Sequence, residues 1–222
     1  MKLLQFLLCA LFLYSTIAYN GFDISSYQGS VSVEEYKCMK EKGYTFQIIQ
    51  AWAGGYTINR YFNQNLKNAM AAGIPYNDVY VFACNNCYAN GSPKAIAAAV
   101  RAALPSGFSG MAWLDVEPCS GCWKDHASNL QYVSDMVAAL KGAGFTTGVY
   151  SSLGSWAGVV GSETATTDEI KSAHCWYAHY DGHPSFSDSE FYRFGGFTKP
   201  DMKQWDDTGS GCGFIFDQNW YP

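Results

Sequence analysis

The sequence predicts an α/β fold, and three observations lead there. Short apolar runs alternate with longer stretches of helical periodicity, Gly and Pro punctuate the junctions, and the composition is that of one globular unit, 222 residues with 48% hydrophobic and 15% charged. The first strand is the apolar run Asn20 to Ile24, and Val33, Tyr36 and Met39 then space a helix over Val33 to Lys42. Phe46 to Trp52, rich in β-branched and aromatic residues, is the second strand; the helix that follows, Asn59 to Ala72, is closed by Gly73 and Pro75. Val79 to Ala83 is the third strand, before an Ala-rich helix that Pro93 opens and Pro105 stops. Gly110 to Val116 reads as a buried fourth strand, and a long helix, Asp125 to Leu140, leads through Gly142 and Gly144 to a fifth, Thr146 to Ser151. Five such βα units imply a parallel sheet with helices outside, and at this length a closed barrel is as natural as an open doubly wound sheet. In the last third, Cys175 to Tyr180, Met202 to Trp205 and Gly213 to Phe216 read as strands joined by loops rich in Gly, Ser and Asp. No linker or low-complexity tract divides the chain.

Lys2, the apolar run Leu3 to Tyr14 and the small residues before Ala18 read as a secretory leader over residues 1–18, with residues 19–222 as the folded domain. The leader is too short an apolar stretch to span a bilayer comfortably, so no membrane partner is expected after its removal. A net charge of −5 lacks the cationic surface on which phosphate-backbone binding depends, which argues against nucleic acid as a partner. No coiled-coil pattern is present, and a monomer is expected. Of eight cysteines, Cys9 falls in the leader. In an oxidising lumen Cys38, Cys84, Cys87, Cys119, Cys122, Cys175 and Cys212 would form up to three disulfides with one thiol left over, their connectivity open. The two C-x-x-C pairs have the form of a Cys₄ zinc site, but the secretory context favours disulfides. His126, His174, His179 and His183 show no metal-binding spacing and no accompanying nucleophile, so neither a metal nor a cofactor is expected.

Four carboxylates carry the chemical signal. Asp23 closes the first strand, Asp115 and Glu117 the fourth, and Asp217 the last. In a parallel barrel the C-terminal strand ends form one mouth, and closure makes first and last strands neighbours. The strand period of two puts Asp115 and Glu117 on one face, with Val116 on the other. Acids that close repel when both ionise, so one keeps its proton, and a general acid beside a persistent carboxylate is the apparatus of glycosidic cleavage. Aromatic residues make up 17% of the chain; Tyr80, Tyr150, Trp176 and Tyr180 sit near strand ends, where rings stack on sugar faces.

The runs Gly21-Phe22-Asp23-Ile24-Ser25-Ser26-Tyr27-Gln28-Gly29 and Trp113-Leu114-Asp115-Val116-Glu117-Pro118 resemble the signature segments of the glycoside hydrolase family 25 muramidases. The likeness continues through Gly148-Val149-Tyr150, Cys175-Trp176-Tyr177-Ala178, Gln204-Trp205 and Asp217-Gln218-Asn219. It implies a single-domain, irregular TIM-like barrel of about five βα units followed by three further strands. It also implies hydrolysis of the β-1,4 bond between N-acetylmuramic acid and N-acetylglucosamine in bacterial peptidoglycan, in digestion or defence. Carried onto this chain, the resemblance makes Glu117 the proton donor and Asp115 the assisting carboxylate. Asp23 and Asp217 would shape the field of the mouth, and Tyr150 is foremost among the sugar contacts.

The chain departs from the family pattern in places. Gln50-Ala51-Trp52-Ala53-Gly54-Gly55 replaces a Lys-containing run common after the second strand, Phe82-Ala83-Cys84 ends the third strand, and Lys203 stands where Trp is common. Two other readings therefore stay open: a catalytically silent barrel that binds peptidoglycan, and a metal or redox protein built on the C-x-x-C pairs. Partial protonation of 19 acidic residues at about pH 4 to 5 would ease repulsion from an anionic wall, so an acidic optimum is expected, in a secreted fluid, phagosome or lysosome.

Overall fold

The structure, a computed structural model, describes residues 18–53, 57–87, 91–186 and 191–222. The leader read over residues 1–18 lies, but for Ala18, outside the described residues, as do Cys9, Gly54 and Gly55. Strand β1 (Tyr19–Ile24) is followed by a 3₁₀ turn and by helix α1 (Val33–Glu41), which Ser32 and Glu35 open with a reciprocal capping box. Strands β2 (Tyr44–Ala53) and β3 (Thr57–Ile58) precede α2 (Phe62–Ala72). That helix begins later than the sequence predicts because Asn59 is otherwise engaged. Its backbone N–H and side-chain amide bond the Ala51 and Gln50 carbonyls, and its Oδ1 accepts the Tyr61 N–H in a local turn. Then come β4 (Tyr76–Phe82), α3 (Pro93–Ala103), β5 (Ala112–Asp115), α4 (His126–Gly142) and β6 (Thr147–Ser151). Two short helices without counterpart in the sequence reading, α5 (Leu153–Val160) and α6 (Asp168–Lys171), lead to β7 (His174–Ala178), β8 (Met202–Gly211) and β9 (Phe214–Tyr221).

The sheet closes. Around the barrel the order is β1, β2, β4, β5, β6, β7, β8, β9, and β9 returns antiparallel to β1, while β3 hangs on the edge of β2. The closed barrel, not the open sheet, is the answer to the alternative left by the βα repeat. Strand alternation then sorts the side chains into two cores. Outward residues such as Phe22, Ile49, Val81, Leu114 and Val149 meet Tyr36, Met39, Leu66, Val137 and Trp156 from the helices. Inward, Phe46, Ile48, Tyr80, Trp113, Tyr150, Trp176 and Met202 fill the barrel interior. Rings this large need small neighbours: a β-carbon at Gly21 would overlap the Phe46 ring, and one at Gly148 the Trp113 ring.

Among the described residues three disulfides form, Cys38–Cys212, Cys84–Cys87 and Cys119–Cys122, and Cys175 is a free, buried thiol. Each C-x-x-C motif is closed on itself. The two loops that carry them are joined by hydrogen bonds, from Asn86 N–H to the Cys122 carbonyl at 2.8 Å and from the Asn86 side chain to the Gly121 carbonyl at 3.1 Å. Among the described residues, no helix is long and apolar enough to cross a membrane.

Candidate active site

Asp23 is the penultimate residue of β1, Asp115 the last of β5, and Glu117 follows two residues on, with Val116 buried in the outer core as period two requires. Asp217 arrives differently from the sequence expectation. It lies inside β9 rather than at its end, because that strand continues to Tyr221, and it sits directly opposite Asp23 in the antiparallel register. All four acids line one cavity of about 110 Å³ together with Tyr80, Tyr150, Trp176, Tyr180 and Gln204. Every candidate residue therefore meets at one place. At roughly 30 Å³ per water the cavity holds a few waters or one small chemical group.

The aromatic residues divide into floor and rim. Tyr80, Tyr150 and Trp176 are buried, with the Tyr150 and Trp176 ring centroids 4.5 Å apart, and Tyr180 at the rim is 52% exposed. Two residues that sequence reasoning did not assign tie floor to acids. Gln204 Nε2 donates to Asp23 Oδ2 at 2.7 Å and to Asp217 Oδ2 at 3.4 Å, while its Oε1 accepts the hydroxyls of Tyr150 at 2.6 Å and Tyr180 at 2.8 Å. Asn219 Nδ2 donates to Asp23 Oδ2 at 2.7 Å, and its Oδ1 accepts the Trp176 indole N–H at 2.8 Å. The available signal was their position: Asn219 shares a face with Asp217 by strand period, and Gln204 shares one with Met202 in the barrel interior.

Among the described residues, no Lys, Arg or His lines the cavity to offset four acids in a small volume. Burial is the first cause that pushes Asp115 well above the usual carboxylate range, and the charges of Glu117 and Asp23 add to it. Burial raises Asp23 to about 7 against the pull of its Asn219 and Gln204 bonds, with Glu117 adding to the rise. Burial, then the neighbouring charge of Asp23, raises Asp217 to about 8, and burial raises Glu117. The mouth therefore stores protons near neutrality. Asp115 is buried, at 5% exposure, and its Oδ1 has no hydrogen-bond partner among the described residues. The Lys-containing run common in the resembled family is replaced at Gln50, whose Oε1 accepts the Ser26 N–H at 3.0 Å and ties the β1 turn to β2.

A closed α/β barrel with a proton-holding acid beside further carboxylates and sugar-sized aromatics at its mouth defines a member of the glycoside hydrolases. A family model described as lysozyme-like protein 1 matches residues 16–205. The chain is 39% identical over 205 residues to the probable GH family 25 lysozyme 2 of Dictyostelium discoideum, covering 92% of each chain. It is also 39% identical to counting factor 45-1 of the same organism, over 86% of this chain and 63% of that one, so it spans less than two thirds of that relative. Among solved structures, a family GH25 lysozyme from Aspergillus fumigatus superposes with a TM-score of 0.72 at 20% identity, over 92% of this chain and 94% of that chain, which bears on the fold. The chain belongs to the glycoside hydrolase family 25 lysozymes.

Proposed function

We propose that the protein is a muramidase that hydrolyses the β-1,4 bond between N-acetylmuramic acid and N-acetylglucosamine in bacterial peptidoglycan. The observation that carries this reading is Asp115, a buried carboxyl with an unpartnered oxygen in the same cavity as Glu117. A bare buried acceptor costs folding free energy, and a 2-acetamido N–H of the substrate is the kind of donor that would satisfy it. Asp115 then orients the acetamido group and, in its ionised form, stabilises the positive charge that grows at the anomeric carbon. Glu117, half-exposed and raised by burial, gives its proton to the leaving oxygen as the glycosidic bond opens; water then adds to the anomeric carbon and its proton returns to the Glu117 carboxylate. Asp23 and Asp217, raised to about 7 and about 8, tune the electrostatics of the mouth by holding their protons at acid pH, Tyr80, Tyr150 and Trp176 shape the floor, and Tyr180 meets the sugar at the rim. A monomer, secreted or in an acidic vesicle and acting in bacterial digestion or defence, fits three disulfides and a donor carboxyl that burial raises above its ordinary value.

The test is digestion of purified peptidoglycan at about pH 5 by wild type and Glu117→Gln, followed by borohydride reduction and mass identification of the new sugar ends. Reduced muramic acid ends are expected from wild type, with a rate about 10²- to 10⁴-fold lower in the variant. Saturable wall binding by a folded wild type that yields no new ends would replace the enzyme by a silent binding barrel.

A further inference from the structure

Lys203 lies on β8 with 0% of its side chain exposed. A buried ammonium is tolerated only when acceptors replace its water, and Lys203 finds three in one loop, the link after β7. Nζ donates to Asp181 Oδ2 at 2.6 Å, to the His183 carbonyl at 2.9 Å and to the Ser185 carbonyl at 3.4 Å. The same loop is stitched to β8 by backbone bonds from His179 N–H to the Gln204 carbonyl and from Gly182 N–H to the Trp205 carbonyl. Burial opposes ionisation of Asp181, yet the Lys203 ammonium and the His183 N–H hold its carboxyl below the usual range, and His179 Nε2 stands 3.7 Å away. Between these anchors, Tyr180 turns toward the mouth, where its hydroxyl bonds Gln204 Oε1 at 2.8 Å and lies 3.1 Å from that of Tyr150. Adjacent residues of β8 thus hold the loop twice, Lys203 through its acid and carbonyls and Gln204 through its tyrosine.

Resting on the muramidase reading, we infer that Lys203 is a positioning residue for glycan binding. It clamps residues 179–186 so that the half-exposed Tyr180 ring forms a fixed rim of the sugar site. A fixed ring spares the ordering cost that a mobile one would add when sugar binds, so the clamp acts on affinity and leaves proton transfer alone.

The test is a double-mutant cycle of Lys203→Met and Tyr180→Ala on solubilised glycan strands, with hydrogen exchange of residues 179–186 as a second readout. Lys203→Met is expected to raise KM about tenfold with kcat changed less than about twofold, and to speed exchange in the loop. In the Tyr180→Ala background the same substitution is expected to add nothing to KM, an outcome that a general loss of stability would not produce. Asp181→Asn, which keeps an oxygen for Lys203 but removes its charge, goes through the same cycle in case Lys203→Met fails to fold. An unchanged KM, unchanged exchange, or a KM rise that persists with Tyr180 removed overturns the inference while leaving a cleaving wild type as a muramidase. If wild type releases no muramic acid ends, the function reading fails separately, and the cycle is read on the Kd for the same strands. A wild type that neither cleaves nor binds overturns both.

Discussion

At the end of the barrel away from the mouth, Asp78 points inward from β4 and spends both oxygens on the frame: Oδ1 accepts the Met111 N–H at 2.8 Å and Oδ2 the Trp113 indole N–H at 2.9 Å. At the mouth, two residues beyond Trp113 on the same strand, Asp115 is buried with Oδ1 unpartnered and with Glu117 and Asp23 as charged neighbours. Burial raises both carboxyls, but only at Asp78 do the bonds from Trp113 and Met111 pull back. The residue type and the barrel interior are shared, so the difference lies in the partners. A carboxylate whose acceptors are filled by its own chain is a strut, and one left open at a cost to stability is available to a ligand.

Substitution of each aspartate by asparagine breaks or sharpens this contrast most sharply in activity. Asp115→Asn is expected to lower kcat on peptidoglycan by about 10²- to 10³-fold, the scale of one preorganised electrostatic contact, while Asp78→Asn stays within about threefold of wild type. Equal losses at the two positions would erase the distinction. Stability should move in the opposite sense. Asp78→Ala, which strands the Trp113 and Met111 donors, is expected to cost about 2 kcal/mol in urea denaturation, whereas Asp115→Asn at about pH 8 gains about 0.5–2 kcal/mol. A destabilised Asp115→Asn would show that its carboxylate supports the fold after all.

A third contrast is a slope with pH. Asp23, raised to about 7, and Asp217, raised to about 8, titrate near 3.9 in the unfolded chain, so between those limits the folded state binds more protons than the unfolded one. Their contribution to stability is therefore greatest near about pH 4 and is lost as pH rises toward about 8. Thermal melts should show Tm declining over that window, less steeply in Asp217→Asn. A wild-type Tm that climbs from acid to neutral pH would mean that other groups outweigh the mouth.

Much of this was legible in the residues because the relevant physics is local. Period two sent Asp115 and Glu117 to one face, and Gly73, Pro93 and Asp125 stand at helix ends as the sequence predicts. The omissions are equally specific. Helix α5 is apolar nearly throughout and holds Gly154 and Gly158, so it shows no amphipathic period, and its one clear signal is the Ser152 side chain accepting the Ser155 N–H. The antiparallel run of β9 past Asp217 was hidden because Gln218 and Asn219 interrupt any apolar alternation, although Asn219 is needed inward for Asp23 and Trp176. Lys203 stands out in the sequence only as a replacement for a common Trp, and what buries it is a loop some twenty positions earlier in the chain.

The bond between Cys38 and Cys212 joins α1 to the turn between β8 and β9 across a sequence separation of 174 residues. A protease that cuts any single exposed loop between those two positions produces two fragments that are still one molecule. The nicked chain keeps its last hairpin tethered next to its first strand, the seam along which an open barrel would otherwise come apart. In a fluid rich in proteases the useful life of the protein is then set by the second cleavage rather than the first.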